Sequence, residues 1–108
     1  MGHNMSEQYT VFQRGLFNGI DAIEISGPFN SLEERFDAMT QAIFASGKKS
    51  LVINFAEVTF MTSSGLAAIV KVLKKTQALG GTLYITGMTE DMMTLFSLSR
   101  LEQYIQFI

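Results

Sequence analysis

The fold of this chain is decided above all by residues 51–79, which read LVINFAEVTFMTSSGLAAIVKVLKKTQAL. Residues 51–55 are almost continuously apolar, which is typical of a strand that is covered on both faces of a sheet. In residues 63–79 the apolar positions recur at helical spacing, so this part is predicted to be an amphipathic helix. A buried strand that leads into an amphipathic helix is typical of an α/β sheet.

When residues 63–79 are placed about 100° apart around a helix axis, the two halves of the predicted helix differ in polarity. The apolar half is expected to pack on the sheet and contains Leu66, Ile69, Val70, Val72, Leu73 and Leu79. The other half is expected to face solvent or a partner and contains Ala67, Lys71, Lys74, Lys75 and Ala78. Ser64 falls near Ala67, Ala68, Lys71 and Lys75, so its hydroxyl group is predicted to be exposed.

A β-hairpin is predicted near the start of the chain. Residues from about 9 to 14 and from 20 to 26 alternate between apolar and polar, as half-buried strands do. The Asn-Gly pair at 18–19 lies between them and is a strong hairpin signal. The Gly-Pro pair at 27–28 is predicted to end the second strand.

A first helix is predicted from about Ser31 to Ser46, where apolar residues again recur at helical spacing. A capping box of Ser31 with Glu34 would begin this helix, and a box of Asn30 with Glu33 fits one residue earlier. Both boxes would satisfy free N–H groups at the helix start, and the sequence leaves the choice between them open.

The remaining residues repeat the alternation of strand and helix. A Gly-Gly pair at 80–81 ends the predicted helix, and residues 82–86 are predicted to form another buried strand. Thr89 can cap a further helix, and residues 104–108 are expected to return as a short strand or tail. The chain is therefore predicted to be a mixed α/β domain with helices on one or both faces of a mixed sheet.

Composition restricts the classes of function. The 108 residues suffice for one domain, and contents of 47% hydrophobic and 17% charged residues indicate a chain that folds. A net charge of −2 without clustered basic residues argues against nucleic acid binding, and no apolar run is long enough for membrane insertion. With no cysteine and only His3, a metal site is not expected. We expect a cytoplasmic protein in which residues 1–8 form a flexible N-terminus.

The sequence lacks the motifs of common enzyme classes. It contains no Walker loop, no GxSxG motif, no GxGxxG motif after a strand, no HExxH motif and no second histidine to serve as a base. Its acidic residues at helix starts are explained by compensation of the helix dipole. Neither catalysis nor a cofactor is expected, and a nucleotide-binding domain is disfavoured because no loop could cradle phosphate.

Three consecutive hydroxyl residues at 62–64 and Gly65 lie where the central strand leads into the helix. The ordinary interpretation is that one hydroxyl caps the helix, which requires only one of the three. A second interpretation is that Ser64 accepts a phosphate, which the positive end of a helix tolerates well. A partner docked on the face of Ala67 and Lys71 would then have to desolvate a dianion, so phosphorylation would act as a switch on binding.

These segments resemble the STAS domain, in particular that of the bacterial anti-sigma-factor antagonists. The resemblance covers about residues 9–108, and its most specific part is MTSSGL at 61–66, which is similar to the DSSGL motif of the family. The SGPFN segment at 26–30 resembles the family's G-x-L/F-D turn. Residues 51–55 resemble its central strand, and residues 80–87 also follow its pattern.

The resemblance implies a single α/β STAS domain at residues 9–108, with a mixed sheet of four to five strands and about four helices. It implies a binding module without catalytic activity, whose partners are an anti-sigma factor with serine-kinase activity and a serine phosphatase. Ser64 matches the serine that is phosphorylated in such antagonists. The residues expected to bind the partner are Asn30, Thr62, Ser63, Ser64, Gly65, Ala67, Ala68, Lys71 and Lys75.

Two positions depart from the family pattern, because Thr62 and Asn30 stand where the motifs carry Asp. The resemblance implies that those acidic residues lie near the phosphorylated serine. Their absence favours two alternatives: Thr62 as a different phosphate acceptor, and a domain that binds without switching. A domain of the second kind would be a STAS subunit of a lipid-transport ABC complex or of a stressosome-type assembly.

Overall fold

The computed structural model describes residues 9–30 and 34–108, and these residues form one five-stranded sheet with helices. The strands are β1 (Val11–Phe17), β2 (Ile20–Phe29), β3 (Leu51–Met61), β4 (Leu83–Thr86) and β5 (Gln106–Phe107). The helices are α1 (Glu34–Ala45), α2 (Ser63–Leu79), α3 (Glu90–Leu98) and a short 3-10 helix (Glu102–Tyr104). The predicted single α/β domain with a mixed sheet is confirmed.

The order of strands across the sheet is the same as their order in the chain. The hairpin pairs β1 with β2 antiparallel, and β3, β4 and β5 each add in parallel to the strand before. Right-handed crossovers that all advance in one direction place their helices on the same face of a sheet. In agreement with this rule, Phe36 of α1, Ile69 of α2 and Phe96 of α3 share one hydrophobic core with Ile53 of β3.

The predicted end of the second strand at the Gly-Pro pair is wrong, because β2 continues to Phe29. The pairing register with β3 shifts between Gly27 and Pro28. Gly27 has a φ of 89°, and a Cβ atom there would lie 2.3 Å from the carbonyl oxygen of Tyr9. The register passes over Thr59 of β3 at this point, so the irregularity is an extra residue of β3, opposite Pro28, which has no N–H group to donate to a neighbouring strand.

The predicted bounds are correct for α2, whereas β1 and β3 both extend beyond the predicted residues. Helix α2 spans the predicted residues 63–79, while β3 runs six residues beyond the predicted 51–55. Thr89 caps α3 as predicted, accepting a hydrogen bond from the backbone nitrogen of Met92 at 3.2 Å. The predicted capping box at the start of α1 involves Ser31 or Glu33 and lies outside the described residues, as do residues 1–8. No helix in the described part of the chain has the length and apolarity to cross a membrane.

Candidate functional site

The hydroxyl-rich segment, residues 62–64, lies at the carboxyl ends of the parallel strands, where α2 begins. The backbone nitrogen of Thr62 donates a hydrogen bond to the carbonyl oxygen of Phe29 at 3.2 Å. Asn30 follows Phe29 directly and is exposed. The pairing of β2 with β3 therefore brings the predicted turn at Asn30 to the start of α2, as the resemblance implied. In α/β sheets, ligands and partners commonly bind at the carboxyl ends of the strands.

Gly65 packs the first turn of α2 directly against the end of β2. A Cβ atom at this position would lie 2.1 Å from the carbonyl oxygen of Phe29 and 2.9 Å from its ring. No side chain can therefore be accommodated without displacing the helix or the strand. The expectation that Gly65 belongs to the partner-binding surface is corrected, because the residue is buried. By packing α2 against β2, Gly65 fixes the position of the neighbouring Ser64.

Thr62 occupies the N-cap position of α2, but its hydroxyl group does not cap the helix. The backbone has the extended conformation of an N-cap residue, with φ −110° and ψ 177°, and its carbonyl oxygen accepts from the nitrogen of Leu66 at 2.9 Å. The side chain makes no capping hydrogen bond, and Oγ1 is buried with no hydrogen-bond partner among the described residues. A kinase cannot reach a buried oxygen, so the alternative of Thr62 as phosphate acceptor is wrong for this conformation.

Ser63 and Ser64 lie in the first turn of α2, and both are exposed, as predicted for Ser64. The first N–H groups of a helix have no acceptor within the helix and carry a partial positive charge. The first turn of α2 contains no acidic residue, whereas those of α1 and α3 contain two each. The positive end of α2 is thus not neutralised by an acidic side chain of its own first turn.

The surface that continues from Ser64 along α2 is formed by Ala67, Lys71 and Lys75, all exposed as predicted. Ala68 does not belong to it, because the side chain is only 4% exposed. The error has a simple geometric cause: Ala68 lies three residues after Gly65 and four before Val72, so it falls on the buried stripe of the helix. We call the exposed residues Ser63, Ser64, Ala67, Lys71 and Lys75 the α2 face.

The α2 face is connected to α1 by an ion pair that the sequence pattern did not indicate. Lys71 Nζ lies 3.1 Å from Asp37 Oδ2, and the same oxygen accepts from the side-chain amide of Gln41 at 3.3 Å. Asp37 and Lys71 are distant in the chain, and no local pattern relates them. The only signal in the sequence was that each falls on the polar side of its own helix.

The chemistry of the site is that of a protein surface with two exposed serine hydroxyl groups, those of Ser63 and Ser64. In the ranges 9–30 and 34–108, no three His, Cys, Asp or Glu side chains lie together so that they could hold a metal ion. The site offers an exposed serine hydroxyl at a positively polarised helix end, next to small residues and lysine side chains. Such a surface can dock a protein, and added negative charge at the serine would alter it directly.

Comparisons with known proteins agree with this architecture. A family model described as the STAS domain matches residues 18–108. The chain is similar to the solved structure of SpoIIAA from Bacillus in the phosphorylated form, with 21% identity, a TM-score of 0.70, and coverage of 91% of each chain. It is also similar to unphosphorylated SpoIIAA, described as an anti-sigma factor antagonist, with 19% identity, a TM-score of 0.69, and coverage of 91% and 87%.

A third solved structure extends the likeness to another genus. An anti-sigma factor antagonist from Mycobacterium paratuberculosis is 19% identical, with a TM-score of 0.69 and coverage of 92% of this chain and 85% of that one. At such identities, the likeness to these structures establishes the fold alone.

Proposed function

The chain belongs to the STAS domain family, and from this premise we propose that it is an anti-sigma-factor antagonist. Its domain, residues 9–108, binds an anti-sigma factor with serine-kinase activity through the α2 face and Asn30. Phosphorylation of Ser64 by that kinase ends the binding, and a serine phosphatase restores it in the same compartment, the cytoplasm. The domain performs no catalysis itself. Solved relatives of this fold described as anti-sigma factor antagonists support this class of partner.

The observation that carries the proposal is the position of Ser64. Its side chain is exposed in the first turn of α2, at a helix end that lacks an acidic residue in that turn. A phosphoserine carries about −1.5 to −2 charges at neutral pH, which the partial positive charge of a helix N-terminus stabilises. The fold therefore tolerates the modification without rearrangement.

The phosphate changes how tightly the partner binds. A protein that covers the α2 face must remove water from whatever group Ser64 carries. Desolvation of a dianion costs several kcal/mol unless the partner supplies paired cations, on the order of the 3 to 5 kcal/mol found for an uncompensated buried charge. A hydroxyl group costs far less. Phosphorylation thus switches binding while the sheet and helices stay as they are.

The proposal is tested by incubating the protein with its candidate anti-sigma kinase and ATP and mapping the modified residue by mass spectrometry. We expect one phosphate at Ser64 and no incorporation in Ser64→Ala. Ser63→Ala is the matched control, because Ser63 is the adjacent exposed serine in the same turn. Binding of the unmodified protein should be lost in Ser64→Asp and kept in Ser64→Ala. Absence of phosphate at Ser64 together with unchanged binding by Ser64→Asp would disprove the switch.

A second candidate function is favoured by one feature of the site. Thr62 and Asn30 provide no carboxylate where the resembling motifs carry Asp, and the Thr62 hydroxyl is buried. A site without those charges suits a STAS subunit that binds constitutively within a lipid-transport ABC complex or a stressosome-type assembly. Co-purification with a permease, together with full function of both Ser64→Ala and Ser64→Asp, would support this candidate over the first.

A further inference from the structure

A groove with a volume of about 660 Å³ lies between α1 and α2. Both helices connect parallel strands of one sheet, so they run side by side in the same direction. Asp37 and Lys71, which form an ion pair, line one end of the groove, and Ala45 and Leu79 line the other end. Eight residues of helix separate the two ends on each side, which corresponds to about 12 Å.

The floor of the groove is apolar and only partly covered by the protein itself. Val72 is buried, whereas Phe44 and Leu79 are half-buried and leave apolar surface open to the groove. The exposed walls near them carry the small residues Ala45 and Ala78. Small side chains beside an apolar floor allow the backbone of a third helix to approach closely, as in the packing of ridges into grooves.

The rim of the groove is positively charged, although the chain as a whole has a net charge of −2. Helix α2 contains three lysines and no acidic residue. Lys74 and Lys75 are exposed and form no ion pair with the described residues, whereas the acidic residue of the groove, Asp37, is already paired with Lys71. The groove therefore combines an apolar floor with two lysines, Lys74 and Lys75, that have no counter-charge within residues 9–30 and 34–108.

We propose that this groove binds an acidic amphipathic helix of a partner protein. The apolar side of that helix would cover Phe44, Val72 and Leu79, and its carboxylates would pair with Lys74 and Lys75. The length of the groove accommodates about two turns, the span of apolar anchors at positions i, i+3 or i+4, and i+7. The groove shares Lys71 and Lys75 with the α2 face, but it begins at Lys71, seven residues or about 10 Å beyond Ser64 along α2, so peptide binding in the groove does not require the Ser64 switch.

The probes are two synthetic 14-residue amphipathic peptides with leucine on one side and either glutamate or lysine on the other. Binding to the full chain is measured by fluorescence anisotropy, and the contact surface is mapped by two-dimensional NMR. We expect the glutamate peptide to bind at least about tenfold more tightly than the lysine peptide, with its affinity decreasing as salt is added. The NMR shifts should concentrate at Phe44, Ala78 and Leu79.

Charge-reversal variants locate the site. The double variant Lys74→Glu with Lys75→Glu should weaken binding of the glutamate peptide by about tenfold or more. The matched control is Lys49→Glu with Arg100→Glu, which changes the net charge equally at exposed cationic residues that do not line the groove. Circular dichroism confirms that both variants fold, and Ser64→Asp should leave peptide affinity within about twofold.

Several results would overturn the proposal. Equal weakening by the two double variants would show attraction to overall charge, and NMR shifts outside the groove would place the peptide elsewhere. Binding to vesicles of anionic phospholipid without binding to the glutamate peptide would assign the lysines to a lipid surface instead. A loss of peptide binding in Ser64→Asp comparable to that in the groove variant would tie the peptide to the switch rather than to the groove.

Discussion

Replacement of Gly65 by alanine tests how the site is built, because it adds one Cβ atom at the contact between α2 and β2. That atom would lie 2.1 Å from the carbonyl oxygen of Phe29, where ordinary van der Waals contact begins at 3.4 Å. The obstacle is backbone, which cannot move aside like the end of a flexible side chain. The first turn of α2 would therefore have to shift by more than about 1 Å or distort.

The size of the effect follows from two opposing contributions. Insertion of a methyl group into a packed site costs about 1 to 3 kcal/mol. Alanine in place of glycine favours a helix by about 1 kcal/mol in its interior and by less in the first turn. The free energy of unfolding should therefore fall by about 1 to 2 kcal/mol, or about 4 to 16 °C in Tm for a domain of this size.

The assay is urea unfolding followed by circular dichroism, with Gly15→Ala as the matched control. A Cβ atom at Gly15 would meet nothing within 4 Å, so this variant makes the same chemical change without a clash. It should be as stable as the parent chain or more stable. If Gly65→Ala unfolds at the same urea concentration as the parent, the packing of α2 against Phe29 is not as tight as we infer. A second readout is the rate of Ser64 phosphorylation, which should fall at least about tenfold with the displaced serine.

Three further predictions concern the helix starts and are measured by the same unfolding assay. Thr62→Val should leave stability unchanged or raise it by up to about 1 kcal/mol, because the buried hydroxyl makes no hydrogen bond with the described residues; a clear loss would mean that Oγ1 has a partner. Ser64→Asp should stabilise the fold by about 0.3 to 1 kcal/mol at low salt through the dipole of α2, and destabilisation would contradict the phosphate tolerance proposed for this position. Thr89→Ala should cost about 1 kcal/mol because it removes the hydrogen bond to the nitrogen of Met92; an unchanged unfolding midpoint would show that this cap contributes nothing.

Local patterns in the sequence were sufficient to predict the helix that carries the site. The bounds of α2 could be predicted because its apolar stripe is regular and Gly80 adopts the left-handed conformation that ends it, with a φ of 74°. The exposure of Ser64 follows from the same periodicity. Ala68 was misplaced because alanine fits both a buried and an exposed position, and only its neighbours Gly65 and Val72 show that it is buried.

The errors elsewhere arose where a pairing partner decides the outcome. Gly27 and Pro28 usually end a strand, but here pairing with β3 continues past them through a register shift and keeps them within β2. Threonine is a common capping residue, yet the packing around Thr62 leaves its Oγ1 buried and without a hydrogen-bond partner among the described residues. Residue types alone do not reveal either arrangement.

The order of elements, the exposed serine at a helix start and the lysines on one helix side were determined by the amino-acid sequence itself. These features follow from helical or strand periodicity and from turn-forming residues, which involve only residues within a few positions of each other. The tertiary structure alone decided that Asn30 lies beside the start of α2, that Gly65 must be glycine, and that α1 and α2 enclose a groove. Those features require the parallel pairing of strands that are distant in the chain, and no local pattern specifies which backbone atoms that pairing brings into contact.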